Sequence, residues 1–344
     1  MARTGLPPDC QPRRILLVRL SHLGDASQAV AVVHALQTRF PTAGLYWAMQ
    51  SEFAGLLDCL PQLAGRILFN RRGGFRAWPR LRRELQPHGF DLAVDAQGNW
   101  KSAMVTRLSG APVRLGLHTR DWREPSAAWV TNWRATPATG PHAMQRMQAL
   151  VEAIQPGAPL QPHIPIDPAH LDTARRQLAQ WQTSGAAPLR RILHLSVPGD
   201  DRSLPPELCR ELVQSWSAAG EGTLVLSGPA EAELGRQFEQ QFQADPAVRH
   251  WVGQRGVPQL CALFAAAAEA GLVLVASDSG PCHLATACDL PTRILFGRTR
   301  PERNGPWPLP GPGSPHRTLL APGGDLRRLA ADEVHAWIAQ DARP

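Results

Sequence analysis

The chain has 344 residues, enough for two domains of ordinary size, each with its own core. Its 36 basic against 29 acidic residues give a formal charge of +7, and every basic residue except Lys101 is arginine, a composition suited to phosphate and carboxylate partners. The six cysteines are scattered without a CxxC pair, which speaks against a disulfide framework and a structural zinc site, and no stretch approaches the ~18 apolar residues of a membrane-spanning helix.

Residues 1–13 include three prolines and are expected to form a loose leader. Arg14–Leu20 (RILLVRL) reads as a buried strand, and Val30, Val33, Leu36 and Phe40 follow at helical spacing, so a helix starts near Asp25. Gly24 is expected to let the backbone turn between the two. Asp25 is either the cap of that helix or a carboxylate presented at the C-terminal edge of a sheet, where α/β ligands bind; residue type alone favours the cap. Leu45–Met49 and Arg66–Phe69 read as further strands. An arginine-rich helix between Phe75 and Leu85 follows Arg71 and Arg72 and carries Arg76, Arg80, Arg82 and Arg83. Such a run is either a solvated face or a dock for acidic groups and membrane phosphates. Phe90–Val94 is the next strand, with Asp95, Gln97 and Gly98 at its tip and Lys101-Ser102 opening a helix. Val113–Leu117 is a strand, HTRDWREPSAAWVTNW an irregular loop beyond it, and His142–Ile154 a helix. In QPGAPLQPHIPIDP, five of fourteen residues are proline, which marks 155–188 as an interdomain linker.

A second α/β series starts at Arg191–Leu195. The polar loop SVPGDDRSLP leads into a helix over Pro206–Ala219, and strands are expected at Thr223–Leu226, Val248–Val252, Leu272–Ala276 and Thr292–Phe296. Helices fall after SGPAEAE, over Pro258–Ala268 and over Cys282–Cys288, and an amphipathic helix spans Leu326–Ala339. Ser277-Asp278-Ser279-Gly280-Pro281 combines turn and cap chemistry directly after a strand. A helix opening off a strand tip turns unpaired N–H groups and a positive dipole end outward, a ready site for phosphate, to which His283 would add a donor. The alternative is an ordinary strand-to-helix turn. Two such series joined by a proline-rich segment imply two Rossmann-like halves facing across a cleft.

Four stretches in order carry a family resemblance. SDSGPCHLATACDLPTRILFGRTRPERNGP resembles the Asp-(Ser/Thr)-Gly-x-x-His-Leu signature of the ADP-heptose lipopolysaccharide heptosyltransferases, glycosyltransferase family 9. RILLVRLSHLGDASQAV is similar to the family's opening strand and Gly-Asp turn, and DAQGNWKSAMVTRLSG to its Asp-x-Gln-Gly-x-x-Lys-Ser element. WREPSAAW and HAMQRMQAL are similar to segments of the type I branch. The likeness runs from about Arg14 to Ile338, with departures at RSLP, SVPGDD and Ala31.

The resemblance implies an α/β, GT-B fold: an acceptor-binding domain over 14–154, a nucleotide-sugar-binding domain over 189–325, and a C-terminal helix over 326–344. It implies an inverting, metal-independent transfer of heptose from ADP-L-glycero-D-manno-heptose to the Kdo region of the lipopolysaccharide inner core, with no cofactor. Asp25 becomes the matched general base, which reverses the preference for a cap. Ser196, Arg202, Glu231, Asp278, Ser279, Gly280 and His283 become donor-binding, with Glu231 accepting from ribose hydroxyls. Gly24, Lys101, Arg80, Arg83 and Arg123 become acceptor-binding. The implied partners are an ADP-sugar, Kdo-lipid A and the anionic inner-membrane surface, with no nucleic acid; the protein would be a cytoplasmic, peripheral monomer. Asp278 retains a second reading, as the cap of its own helix. The competing functions are a transferase or epimerase using another nucleotide sugar, and a non-catalytic paralogue that binds a precursor.

Overall fold

In the computed structural model, residues 3–69, 77–185, 187–253 and 256–340 are described. They form two units, Met1–Ile164 and Pro165–Pro344. Each is an all-parallel sheet flanked by helices, as continuous apolar strands alternating with amphipathic helices require.

The first unit runs β1 (Arg3–Thr4), β2 (Arg14–Val18), α1 (Leu23–Gln28), α2 (Val30–Arg39), β3 (Gly44–Gln50), β4 (Gly65–Phe69) and α3 (Ala77–Leu85). It continues through β5 (Leu92–Asp95), α4 (Trp100–Leu108), β6 (Val113–Gly116), β7 (Trp133–Arg134) and α5 (Ala143–Ile154). The sheet order is β1-β7-β6-β5-β2-β3-β4. The chain therefore leaves β2 in one direction and returns on its other side as β5. In open α/β sheets that reversal leaves a crevice beyond the strand tips. Leu16, Val18, Phe69, Leu81 and Phe90 pack a core on one face of this sheet.

The second unit runs α6 (Pro168–Thr183), β8 (Leu189–His194), α7 (Pro206–Ala218), β9 (Gly222–Leu226), α8 (Ala232–Gln241), β10 (Val248–Trp251) and α9 (Val257–Glu269). It continues through β11 (Val273–Ser277), α10 (Gly280–Ala287), β12 (Thr292–Phe296), α11 (Pro301–Asn304), β13 (Arg317–Leu320) and α12 (Ala331–Ala339). The order β10-β9-β8-β11-β12-β13 places its reversal between β8 and β11. Trp216 and Phe238, both fully buried, lie with Leu212, Val275 and Val334 in the core beneath α7 and α12.

Three boundaries differ from expectation. The leader is not loose: Arg3 and Thr4 pair with Trp133 and Arg134, Gly5 N–H donates to Arg134, and Cys10 is buried. The signal is weak because a two-residue edge strand has no hydrophobic period to read. The linker ends early, because Asp167 caps α6 through bonds to the Ala169 and His170 N–H groups. Ala174 and Leu178 bury one face of that helix, which packs on α9. The last helix starts at Ala331, after a 3-10 turn over Leu326–Arg328 held by Asp325. Residues 341–344, and Arg71, Arg72 and Arg76 of the expected basic cluster, lie outside the described residues.

Candidate active site

In the first unit the crevice between β2 and β5 gathers four polar side chains. Arg19, just beyond β2, is almost fully buried, and a buried guanidinium must find partners. Its Nη1 donates to the Ala96 carbonyl at 2.6 Å and its Nη2 stands 3.1 Å from Asp25 Oδ1. Arg19 thus ties the tip of β5 to the first turn of α1. Gln97 crosses the same gap, accepting from Leu20 N–H at 2.6 Å and donating to Ser21 Oγ at 3.4 Å. Asp95 is fully buried and accepts from the Gln97 and Gly98 N–H groups, both at 2.9 Å. Burial raises its pKa against the pull of those bonds.

Asp25 does not cap its helix. The N-cap residue is His22, without a side-chain cap bond, and Asp25 lies inside the first turn with its side chain 44% exposed. An acidic group there is favoured by the helix dipole and remains open to a substrate. Gly24 is buried within α1, so the turn it was expected to make falls earlier, at Ser21 and His22. Lys101 is exposed at the second position of α4, behind the capping box of Asn99 and Ser102, so Trp100, not Lys101, opens that helix. Arg123 is exposed next to Glu124, whose carboxylate accepts from Trp100 N–H at 2.6 Å. Arg80 and Arg83 are exposed on α3, while Leu81 and Leu85 of that helix are buried.

In the second unit the reversal between β8 and β11 is closed by a hydrogen bond. The Oγ atoms of buried Ser196 and Ser277 lie 2.9 Å apart. Beyond Ser277 the chain turns into α10, whose N-cap is Ser279, not Asp278. Asp278 is buried: Oδ1 faces His283 Nε2 at 3.4 Å, and Oδ2 accepts from Asn304 Nδ2 at 3.5 Å. Burial raises the Asp278 pKa, but hydrogen bonding and charge from His283, with the charge of Arg202, outweigh it and hold the carboxyl below its ordinary value. Ser279 Oγ, at the helix start beside Gly280, is buried without a hydrogen-bond partner. An unpaired hydroxyl at a helix N-terminus can donate to an anion.

Arg202 lies on the loop after β8, and Asp200 grips it through Nε at 3.1 Å and Nη2 at 2.8 Å. The guanidinium holds the Asp200 carboxyl below its usual range. Glu231, at the start of α8, is nearly buried and accepts from Gly228 N–H at 3.0 Å. Burial pushes its carboxyl pKa up. A cavity of about 500 Å³ opens beside Arg202's loop, lined by Asp200, Asp201, Arg298 and Asp325, with Arg298 paired to Asp201 at 2.7 Å.

Sequence reasoning thus missed Arg19, Asp200 and Asn304. Arg19 did leave a signal, as the charge closing an apolar strand, and Asp200 another, two residues before Arg202; Asn304 acts through a contact with Asp278 that no local spacing encodes.

Known proteins share this organisation. Residues 78–309 match glycosyltransferase family 9 (heptosyltransferase). Lipopolysaccharide heptosyltransferase 1 of Escherichia coli is 27% identical over 340 residues, 96% of this chain and 98% of that protein. Its namesake from Pseudomonas aeruginosa is 28% identical over 304 residues, 86% of this chain and 81% of the relative. Among solved structures, E. coli heptosyltransferase WaaC with ADP superposes with a TM-score of 0.73 at 24% identity, covering 96% of this chain and 98% of that one. WaaC with ADP-2-deoxy-2-fluoro heptose gives 0.74, with coverage of 95% and 99%. These likenesses show the fold to be the GT-B class expected from the sequence. The chain is a glycosyltransferase and belongs to glycosyltransferase family 9, the heptosyltransferases.

Proposed function

We propose that the protein transfers heptose from ADP-L-glycero-D-manno-heptose to the Kdo region of the lipopolysaccharide inner core, with inversion and without a metal ion. The observation that carries this reading is the turn at the reversal of the second unit. There a helix N-terminus, an unpaired Ser279 hydroxyl and a buried Asp278–His283 pair converge at the end of a strand locked by Ser196 and Ser277. Such a group of donors suits a diphosphate. Solved relatives with ADP and with an ADP-heptose analogue support an ADP-sugar as its occupant.

In the transfer, Asp25 accepts the proton of the acceptor hydroxyl. The hydroxyl oxygen forms its bond to the anomeric carbon from the face opposite the diphosphate, and the bond from that carbon to the diphosphate oxygen breaks with its electron pair. The charge left on ADP is met by the N–H groups of α10, by His283 and by Arg202 as it exchanges Asp200 for phosphate. Glu231 accepts from ribose hydroxyls.

The acceptor's carboxylates and phosphates would meet Lys101, Arg80, Arg83 and Arg123, all exposed. Trp100, 43% exposed, stands next to Lys101 on α4, and Trp129, 61% exposed, on the 3-10 turn Pro125–Val130 that follows Arg123 and packs on α4. Indole rings beside basic side chains suit the headgroup layer of an anionic membrane. Among the described residues no helix is long and apolar enough to cross one, so the association we propose is peripheral. We propose a monomer at the cytoplasmic face.

Mass spectrometry of the lipopolysaccharide core from cells lacking the protein tests this reading. A core that stops before its first heptose is the expected result. A core truncated only at a later sugar moves the acceptor, and an intact core removes the function.

A further inference from the structure

The turn that opens α10 brings together three side chains of metal-ligating type. A carboxylate oxygen of Asp278, the Cys282 sulfur and a ring nitrogen of His283 all lie within 4.8 Å of one another. In the sequence they are DSGPCH: Asp278 just precedes the helix, and Cys282 and His283 lie in its first turn. Two of the three are already at coordination spacing. Tetrahedral bonds of roughly 2.0–2.3 Å to nitrogen, oxygen and sulfur place neighbouring ligand atoms about 3.3–3.8 Å apart. The Asp278–His283 separation is 3.4 Å. Closure therefore requires the Cys282 sulfur, within 4.8 Å of both, to move towards them.

We propose that Asp278, Cys282 and His283 form a binding site for a zinc-class divalent ion, and that the bound ion keeps the donor out of this turn. The donor set selects the metal: sulfur and imidazole with one carboxylate suit Zn²⁺ or Co²⁺ and disfavour Mg²⁺, which prefers oxygen throughout. Cys282 is fully buried and its S–H donates to the Ser279 carbonyl at 3.0 Å. Coordination exchanges that S–H bond for a metal–thiolate bond and releases the proton to solvent. His283 binds as the neutral imidazole through Nε2, the atom that faces Asp278, and so is withdrawn from any contact with phosphate. Three protein ligands leave a fourth position for water, as in open zinc sites. The inhibition rests on the donor reading above; the coordination does not.

Titration of Co²⁺ into the metal-free full chain without nucleotide tests the site. The expected result is a one-equivalent thiolate-to-cobalt charge-transfer band in the near ultraviolet that Zn²⁺ abolishes. Cys282→Ser, with an unchanged circular dichroism spectrum, should lose the band, keep ADP binding and make transfer insensitive to Zn²⁺. No band in the wild-type chain, or an equal band in Cys282→Ser, overturns the proposal. Should Cys282→Ser fail to fold, His283→Gln provides the second test. Cobalt affinity should then fall about tenfold or more, and unchanged affinity is equally fatal. Cobalt binding by a chain that never binds ADP would remove the donor reading and leave the metal site, whereas ADP binding with no cobalt band would do the reverse.

Discussion

The two units solve one topological problem with opposite electrostatics. Each reverses strand order at its centre and sets a carboxylate just beyond a central strand, Asp25 in the first turn of α1 after β2 and Asp278 in the turn after β11. Asp25 is nearly half exposed and rests on a buried arginine; Asp278 is buried and rests on a histidine and an asparagine. An exposed carboxylate braced from behind is placed to meet a reacting hydroxyl. A buried one is placed to hold its neighbours still. The difference teaches that a carboxylate at a strand tip is assigned a role by what surrounds it, not by its position in the motif.

The largest effect should come from Asp25→Asn. That change keeps size and helix compatibility while removing the basic oxygen, and it should lower kcat by roughly 10²–10⁴-fold. Steady-state transfer kinetics check it, and a wild-type kcat would place the base elsewhere.

Acid should separate the units next. In the second unit burial holds His194 at about 4, and burial with the charge of Arg293 holds His316 at about 4. In the unfolded chain both histidines take up protons near pH 6.5, whereas the folded chain resists until about pH 4. Their stabilisation is therefore complete above 6.5 and is lost as pH falls towards 4, about 3 kcal/mol for each. Asp278, lowered in the folded state, adds to the loss at lower pH. Asp95 in the first unit, raised by burial, has the opposite sign. Melting curves from pH 7 to pH 4.5 should fall steeply, and His194→Leu should flatten them. Equal slopes would show that His194 is not held neutral.

Smaller is the contribution of the basic surface. Each arginine near an anionic bilayer adds about 1 kcal/mol, so Arg80→Glu with Arg83→Glu should weaken vesicle partitioning by roughly tenfold or more while ADP affinity holds. Unchanged partitioning and acceptor KM would make α3 a solvated face. The smallest expected effect is none: if helix N–H groups and Arg202 oppose the leaving charge as proposed, transfer continues in excess EDTA. Activity lost to EDTA and restored by a divalent ion would contradict that mechanism.

Most of the framework was legible because parallel strands buried on both faces are continuous apolar runs. Arg14–Val18 lies within its expected span, Thr292–Phe296 coincides with it, and Gly222–Leu226 starts one residue before it. The two-residue strands β1 and β7 were not, since two residues carry no period. Helix α6 was obscured by the prolines before it, although Asp167-Pro168 is itself a cap followed by a first-turn proline. At the site, the residue types were readable but their roles were not. Whether Asp25 or Asp278 caps a helix depends on where the backbone leaves the extended region, and it does so at His22 and at Ser279. Arg19 shows the other limit: its charge was visible, but its partners come from two places, Ala96 just after β5 and Asp25 in α1.

The division of labour between the two carboxylates is tested most directly by calorimetric titration of ADP into Asp25→Asn and Asp278→Asn. ADP should bind Asp25→Asn as it binds the wild type. Asp278→Asn loses the charge that orders His283 beside the helix start, so its affinity should fall by about tenfold. Weakened ADP binding in Asp25→Asn together with wild-type binding in Asp278→Asn would show that the two loops have been assigned the wrong way round.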